Sequence, residues 1–169
     1  MRELQIVDAM ELVAAYASAE YAVVLDGDAL QLHVGAPASD LEAYWPAQQY
    51  AFITAWNPAS IPHSDAANET ANEALVARLD AMGLPRQPAH AYDRTGEWRE
   101  AGWLVTDIDT CALDLLAREF GQAGVLAWRY GEPVRLRMLL PKPPHAEAGG
   151  QIDWVPQDCP DRMKPPAIA

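Results

Sequence analysis

Apolar residues recur at helical spacing over residues 8–19, where Met10, Val13, Ala14 and Ala17 form one stripe, so the chain is expected to open on a short helix. The period then changes. Residues 21–25 and 29–34 are β-rich apolar runs joined by Asp26-Gly27-Asp28, and an Asp-Gly turn between two such runs predicts a hairpin. Ser39-Asp40-Leu41-Glu42 has capping-box spacing and predicts a short helix ending before Pro46. Residues 50–56 are unbroken apolar, aromatic and β-branched and read as a central strand, stopped by Asn57-Pro58. After a polar loop, Leu75, Leu79 and Met82 mark a helix closed by Gly83. Its start falls between residues 65 and 71, because Thr70-Ala71-Asn72-Glu73 also fits a capping box.

The second half repeats this rhythm. Strands are expected at 88–95 and 103–108, then a helix over 110–120 with Asp109 as cap and Gly121 as stop. A second hairpin, 124–130 with 134–140, turns at Gly131-Glu132. From residue 50 onward the order is β-α-β-β-α-β, a ferredoxin-like arrangement in which right-handed crossovers put both helices on one sheet face. The expected fold is α+β with a mainly antiparallel sheet, extended by the N-terminal helix and hairpin. Residues 1–140 read as one domain. Half of the 14 prolines fall after residue 140, so 141–169 read as an irregular tail in which Ile152, Trp154 and Val155 offer a short apolar anchor.

Charge narrows the partners. The 169 residues carry a formal net charge of -12. Residues 1–80 hold twelve carboxylates against only Arg2 and Arg78, whereas the remainder is nearly balanced and its bases are mostly arginine. An acidic total argues against duplex nucleic acid, which needs basic side chains to displace counterions. A local anion site is still allowed, and it is expected after residue 81. No apolar run reaches the roughly 18 residues of a membrane span, and no signal-peptide core opens the chain, so a cytoplasmic protein is expected. Cys111 and Cys159 lack metal-type spacing and read as two free thiols.

Three segments together carry a resemblance. They are Phe52-Ile-Thr-Ala-Trp-Asn-Pro58 with Ser64, Asn68 and Asn72 after it; Trp98-Arg-Glu100 before an apolar strand; and Ala117-Arg-Glu-Phe-Gly-Gln122 before another. In order and spacing, over roughly residues 20–140, the chain resembles a bacterial family known as domain of unknown function 3293. The resemblance implies a small bacterial domain of unknown activity and brings no catalytic residues with it.

The candidate chemistry therefore rests on residue types. Asn57 is held extended or in a turn by Pro58, and Asn68 and Asn72 share one helix face. Asn57, Ser64, Asn68 and Glu100 suggest a small polar pocket beside a helix N-terminus; in the alternative, Asn57 closes a turn, Ser64 or Asn68 caps the helix and Asn72 is solvated. Glu100, if turned inward beside Trp98, is the candidate general acid or base. Gln122 either meets a ligand or satisfies helix carbonyls. Arg135 and Arg137 share a strand face and form a candidate phosphate or carboxylate site, which Arg129 joins if the hairpin register allows. Trp56 and Trp98 flank the pocket. No spacing among His33, His63, His90 and His145 suggests a metal, and no nucleotide-loop or nucleophile-elbow motif is present, so no cofactor is expected.

Three functions fit these features. The first is a binding or regulatory module for a small anionic or nucleotide-like metabolite, built on Asn57, Ser64, Asn68, Gln122, Arg135 and Arg137. The second is a small enzyme using Glu100. The third is a protein-interaction module, including self-association into a homo-oligomer.

Overall fold

A computed structural model describes residues 8–93, 95–146 and 150–156. Strand β3 (Gln49–Ile53) lies in the interior of its single sheet. It is preceded by helix α1 (Ala9–Ser18), a hairpin of β1 (Glu20–Leu25) and β2 (Asp28–Leu32), and helix α2 (Ser39–Tyr44). After β3 come a short 3-10 turn at Pro58–Ser60, helix α3 (Asp65–Met82), β4 (Arg86–Tyr92), β5 (Arg99–Thr106), helix α4 (Thr110–Glu119), β6 (Gly124–Arg129), β7 (Arg135–Met138) and β8 (Ile152–Trp154). The fold is α+β. The eight strands lie in the order β2-β1-β4-β5-β3-β6-β7-β8. The sheet is mixed, since β7 and β8 run parallel while the other neighbours run antiparallel.

Alternation along β3 divides the interior in two. Tyr50 and Phe52 pack with Leu104, Leu126 and Trp128 on one face, while Ala51 and Ile53 pack with Val105 and Val125 on the other. Both faces are buried, which is why β3 reads as a continuous apolar run. Leu75 and Leu79 of α3 and Leu113, Leu116 and Ala117 of α4 cover the Ile53 face. Leu12 and Val13 of α1 and Leu41 of α2 cover the Phe52 face. The two long helices thus share a face as their crossovers predict, but helices are not confined to that face. The short N-terminal helices close the other one, because an uncovered Phe52 face would leave large apolar side chains in water.

Local chemistry accounts for most element ends. Asp26 and Gly27 take positive φ values of 47° and 85°, the conformation an Asp-Gly hairpin turn requires. Ser64 caps α3 by accepting the Ala67 N–H at 3.1 Å, which fixes the helix start that Thr70 left open. Thr70 instead bonds back to the Ala66 carbonyl within the helix. The capping box expected at Ser39 does not form: Ala38 occupies the cap position, and Glu42 is buried, accepting the Gly131 N–H at 2.6 Å. Its carboxylate ties α2 to the β6–β7 turn.

Part of the expected tail belongs to the sheet. β8 adds to β7, Val155 is buried, and Arg135 grips Asp153 through two hydrogen bonds of 2.7 and 2.9 Å. Residues 157–169 lie outside the described residues, as does Cys159. The free-thiol expectation does not hold for Cys111, which is disulfide-bonded; spacing along the chain carries no information about proximity in space. No described helix is long and apolar enough to cross a membrane.

Candidate functional site

The chain leaves β3 through Thr54–Trp56 and turns sharply at Asn57. Asn57 is buried and left-handed, with φ 44° and ψ 65°, a conformation its short polar side chain tolerates better than most. Ser60, three residues on, also has a positive φ of 60°. Strain of this kind persists only where surrounding bonds over-determine it, and here they do. The Asn57 N–H donates to Asn68 Oδ1 at 2.9 Å, while Asn57 Oδ1 accepts from Asn68 Nδ2 at 2.9 Å and from the His63 N–H at 3.0 Å. Two asparagines eleven residues apart therefore hold the loop against the first turn of α3.

The remaining polar arm of Asn57 points across the sheet, where its Nδ2 donates to Glu100 Oε1 at 3.0 Å. The same oxygen accepts the Trp98 indole N–H at 2.9 Å. Glu100 Oε2 accepts no hydrogen bond among the described residues. Burial pushes the Glu100 carboxyl above the ordinary glutamate range, and the bonds from Asn57 and Trp98 pull it partly back. Tyr16, from α1, shares a short hydrogen bond with Ser60. Its hydroxyl is raised first by burial and further by the Glu100 charge, while the Ser60 bond lowers it.

These groups surround a cavity of about 420 Å³ between α1 and the Phe52 face of the sheet. Leu12, Tyr21, Phe52, Leu126 and Leu136 form much of its apolar wall, and Asn57, Ser60, Glu100 and Gln122 bring polar atoms to it. Two glycines shape it. A Cβ on Gly102 would lie 2.8 Å from the Ile53 carbonyl and 2.9 Å from Phe52 Cζ, so only glycine lets that ring lie over β5. A Cβ on Gly124 would press on the Tyr16 ring at 3.1 Å.

Of the residues singled out from sequence, Asn57, Glu100 and Gln122 meet in this cavity. Asn68 stands behind Asn57 as its support. Gln122 Nε2 donates to the Trp56 carbonyl at 3.1 Å and the Phe120 carbonyl at 3.4 Å, so it satisfies a helix-end carbonyl while lining the cavity. Ser64 is an exposed helix cap, and Asn72 accepts from the Trp103 indole at 2.9 Å. Trp98 lies on the cavity rim; Trp56 contributes its carbonyl to Gln122.

Arg135 and Arg137 lie elsewhere. They alternate with Leu136 and Met138 on β7 and face α4, on the opposite side of the sheet. Arg137 binds Asp114 through two hydrogen bonds of 2.6 and 2.8 Å. The register pairs Arg135 with Ala127 and Gln49 with Arg129, which puts Arg129 on that same face. Tyr16, Tyr21 and Ser60 carried no sequence signal, since nothing local ties α1 to the loop after β3. Among the described residues no group of three or more His, Cys, Asp or Glu is placed to hold a metal ion.

Fold and site together define an α+β domain with a cavity on the α1 face of its sheet. Residues 53–125 match a family described as Protein of unknown function (DUF3293), so this stretch of the chain is similar to that family. The matched residues supply Asn57, Ser60, Glu100 and Gln122; α1 with Tyr16 lies outside them. No curated protein and no solved structure matches the chain.

Proposed function

We propose that the domain binds a small organic molecule in the cavity beneath α1. The observation that carries this reading is the convergence of Asn57, Glu100, Gln122 and Tyr16, from four separate segments, on one largely apolar hollow of about 420 Å³. Protein interiors leave few voids larger than a water molecule, and a hollow of this size with a few oriented polar groups is the usual form of a ligand site. The scaffold reading is ferredoxin-like: the segment order β3-α3-β4-β5-α4-β6 with sheet order β4-β5-β3-β6, antiparallel throughout, supports it. The ligand proposed here is not the anion that residue types suggested. Asp93 and Glu100 line the cavity and no lysine or arginine does so among the described residues.

Glu100 also supports a second reading, a small enzyme in which this carboxylate takes or gives a proton. The observation favouring it is the open Oε2 beside an Oε1 fixed by two donors, the arrangement a positioned acid or base needs.

Thermal-shift screening of neutral, cationic and anionic small molecules tests the binding reading when run in parallel on Ala91→Phe. Ala91 lines the cavity opposite Glu100 across the β4–β5 ladder, so a phenyl ring there occupies the hollow. The expected result is stabilisation of the wild-type chain and loss of that effect in Ala91→Phe. Hits unaffected by the phenyl ring bind elsewhere and remove the proposal.

A further inference from the structure

We infer that the cavity takes an organic cation, an amine carried on an aromatic or aliphatic body, with the ammonium group donating to Glu100 Oε2. This rests on the binding reading above and names the class of its ligand.

The argument begins with an imbalance of charge. Glu100 is half-buried, and both its hydrogen-bond donors, Asn57 Nδ2 and the Trp98 indole, are neutral. An ionised carboxylate in such a setting is normally paired with a cation. The buried Asp114 is paired in this way with Arg137, while buried Glu42 takes the Gly131 N–H instead. At Glu100 the described residues supply no such partner. Its neighbour Arg99 lies on the other face of β5, because strand side chains alternate. The missing positive charge is what a ligand would bring.

The unfilled polar positions agree in sign. Glu100 and Gln122 both line the cavity, and neither Glu100 Oε2 nor Gln122 Oε1 accepts a hydrogen bond among the described residues. Both are acceptors, so they select a molecule that donates. The body of the ligand would lie against Tyr21 and Phe52, which meet edge to face with centroids 5.3 Å apart. Aromatic rings add attraction for a cation held near them. The net charge of -12 acts at longer range in the same direction, raising the local concentration of cations. Anions face the reverse of every one of these terms.

Three indoles of similar shape separate the possibilities: tryptamine, neutral ethylindole and anionic indolepropionate. Titration calorimetry on the full chain is expected to give tryptamine an affinity at least about tenfold above the other two, the worth of one desolvated charge contact. Glu100→Gln keeps an acceptor for Asn57 and Trp98 but removes the charge, and it is expected to bring tryptamine down to the level of ethylindole. Ethylindole or indolepropionate binding as well as tryptamine, with Ala91→Phe abolishing it, overturns the cation inference and leaves the binding reading intact. Tryptamine binding that Glu100→Gln does not weaken overturns it too. If none of the three binds at millimolar concentration, the inference fails, and the broader screen then decides the binding reading separately.

Discussion

Asn57 and Glu100 illustrate how differently single residues can be read. Asn57 before Pro58 announces a turn, and the turn exists, but its side chain does three things that no local pattern encodes: it braces Asn68, accepts from His63 and orients Glu100. Glu100 was legible only as a conditional candidate, because whether a strand-entrance glutamate faces in or out depends on register with β4 and on Gly102 leaving room. Its raised carboxyl has a consequence for stability. A carboxyl that holds its proton more tightly when folded than when unfolded is no burden at low pH, and it becomes one as pH rises through the folded value. Glu100→Gln is therefore expected to be more stable than wild type at neutral pH, with the difference closing as pH falls toward the ordinary glutamate value of about 4.3. Thermal unfolding of both chains across that range checks the sign; a difference that widens on acidification would contradict it.

At the scale of elements, helix α4 and strand β7 are joined by Asp114 and Arg137, whose side chains are 5% and 21% exposed. Sequence marked Arg137 as an anion ligand and Asp114 not at all, since a single acid in a helix carries no signal about what lies beneath it. Removing one member of a buried pair strands the other's charge, and Asp114→Ala is expected to destabilise by about 3 kcal/mol. Adding Arg137→Met should restore much of that loss, because a well-packed apolar side chain needs no partner. Urea unfolding of the single and double variants measures both; equal midpoints for wild type and Asp114→Ala would mean that the pair carries no structural weight. The helices themselves were largely readable. α1, α3 and α4 stand within a residue or two of the apolar stripes and end signals that predict them, Gly83 and Gly121 taking positive φ values of 66° and 65° at their stops. β5 was less so: it begins at Arg99, where polar residues hide a strand that pairing with β4 creates.

For the whole molecule, ion pairs cross the boundary between the acidic first half and the nearly balanced second half. Arg78 with Glu119 and Arg86 with Asp80 join the two, while Arg135 and Arg137 find partners within the second half. The C-terminal segment matters more to the architecture than its prolines suggest, because β8 covers the edge of β7. A chain ending at Leu140 leaves that edge unpaired, and exposed edges recruit other chains. It is expected to melt at lower temperature and to self-associate, and light scattering beside the full-length protein tests this; an unchanged monomer of unchanged stability would refute it. The sequence by itself determined the element types up to residue 140, most of their ends, the hairpin turn at Asp26-Gly27 and the α+β class, because hydrophobic period, capping and positive-φ turns act over a few residues. Only the tertiary structure decided that α1 roofs one face of the sheet, that Glu100 and Gln122 share a cavity with Tyr16, and that Arg135 and Arg137 lie on the other side with partners of their own. Those facts depend on strand order and register, which set which distant side chains meet.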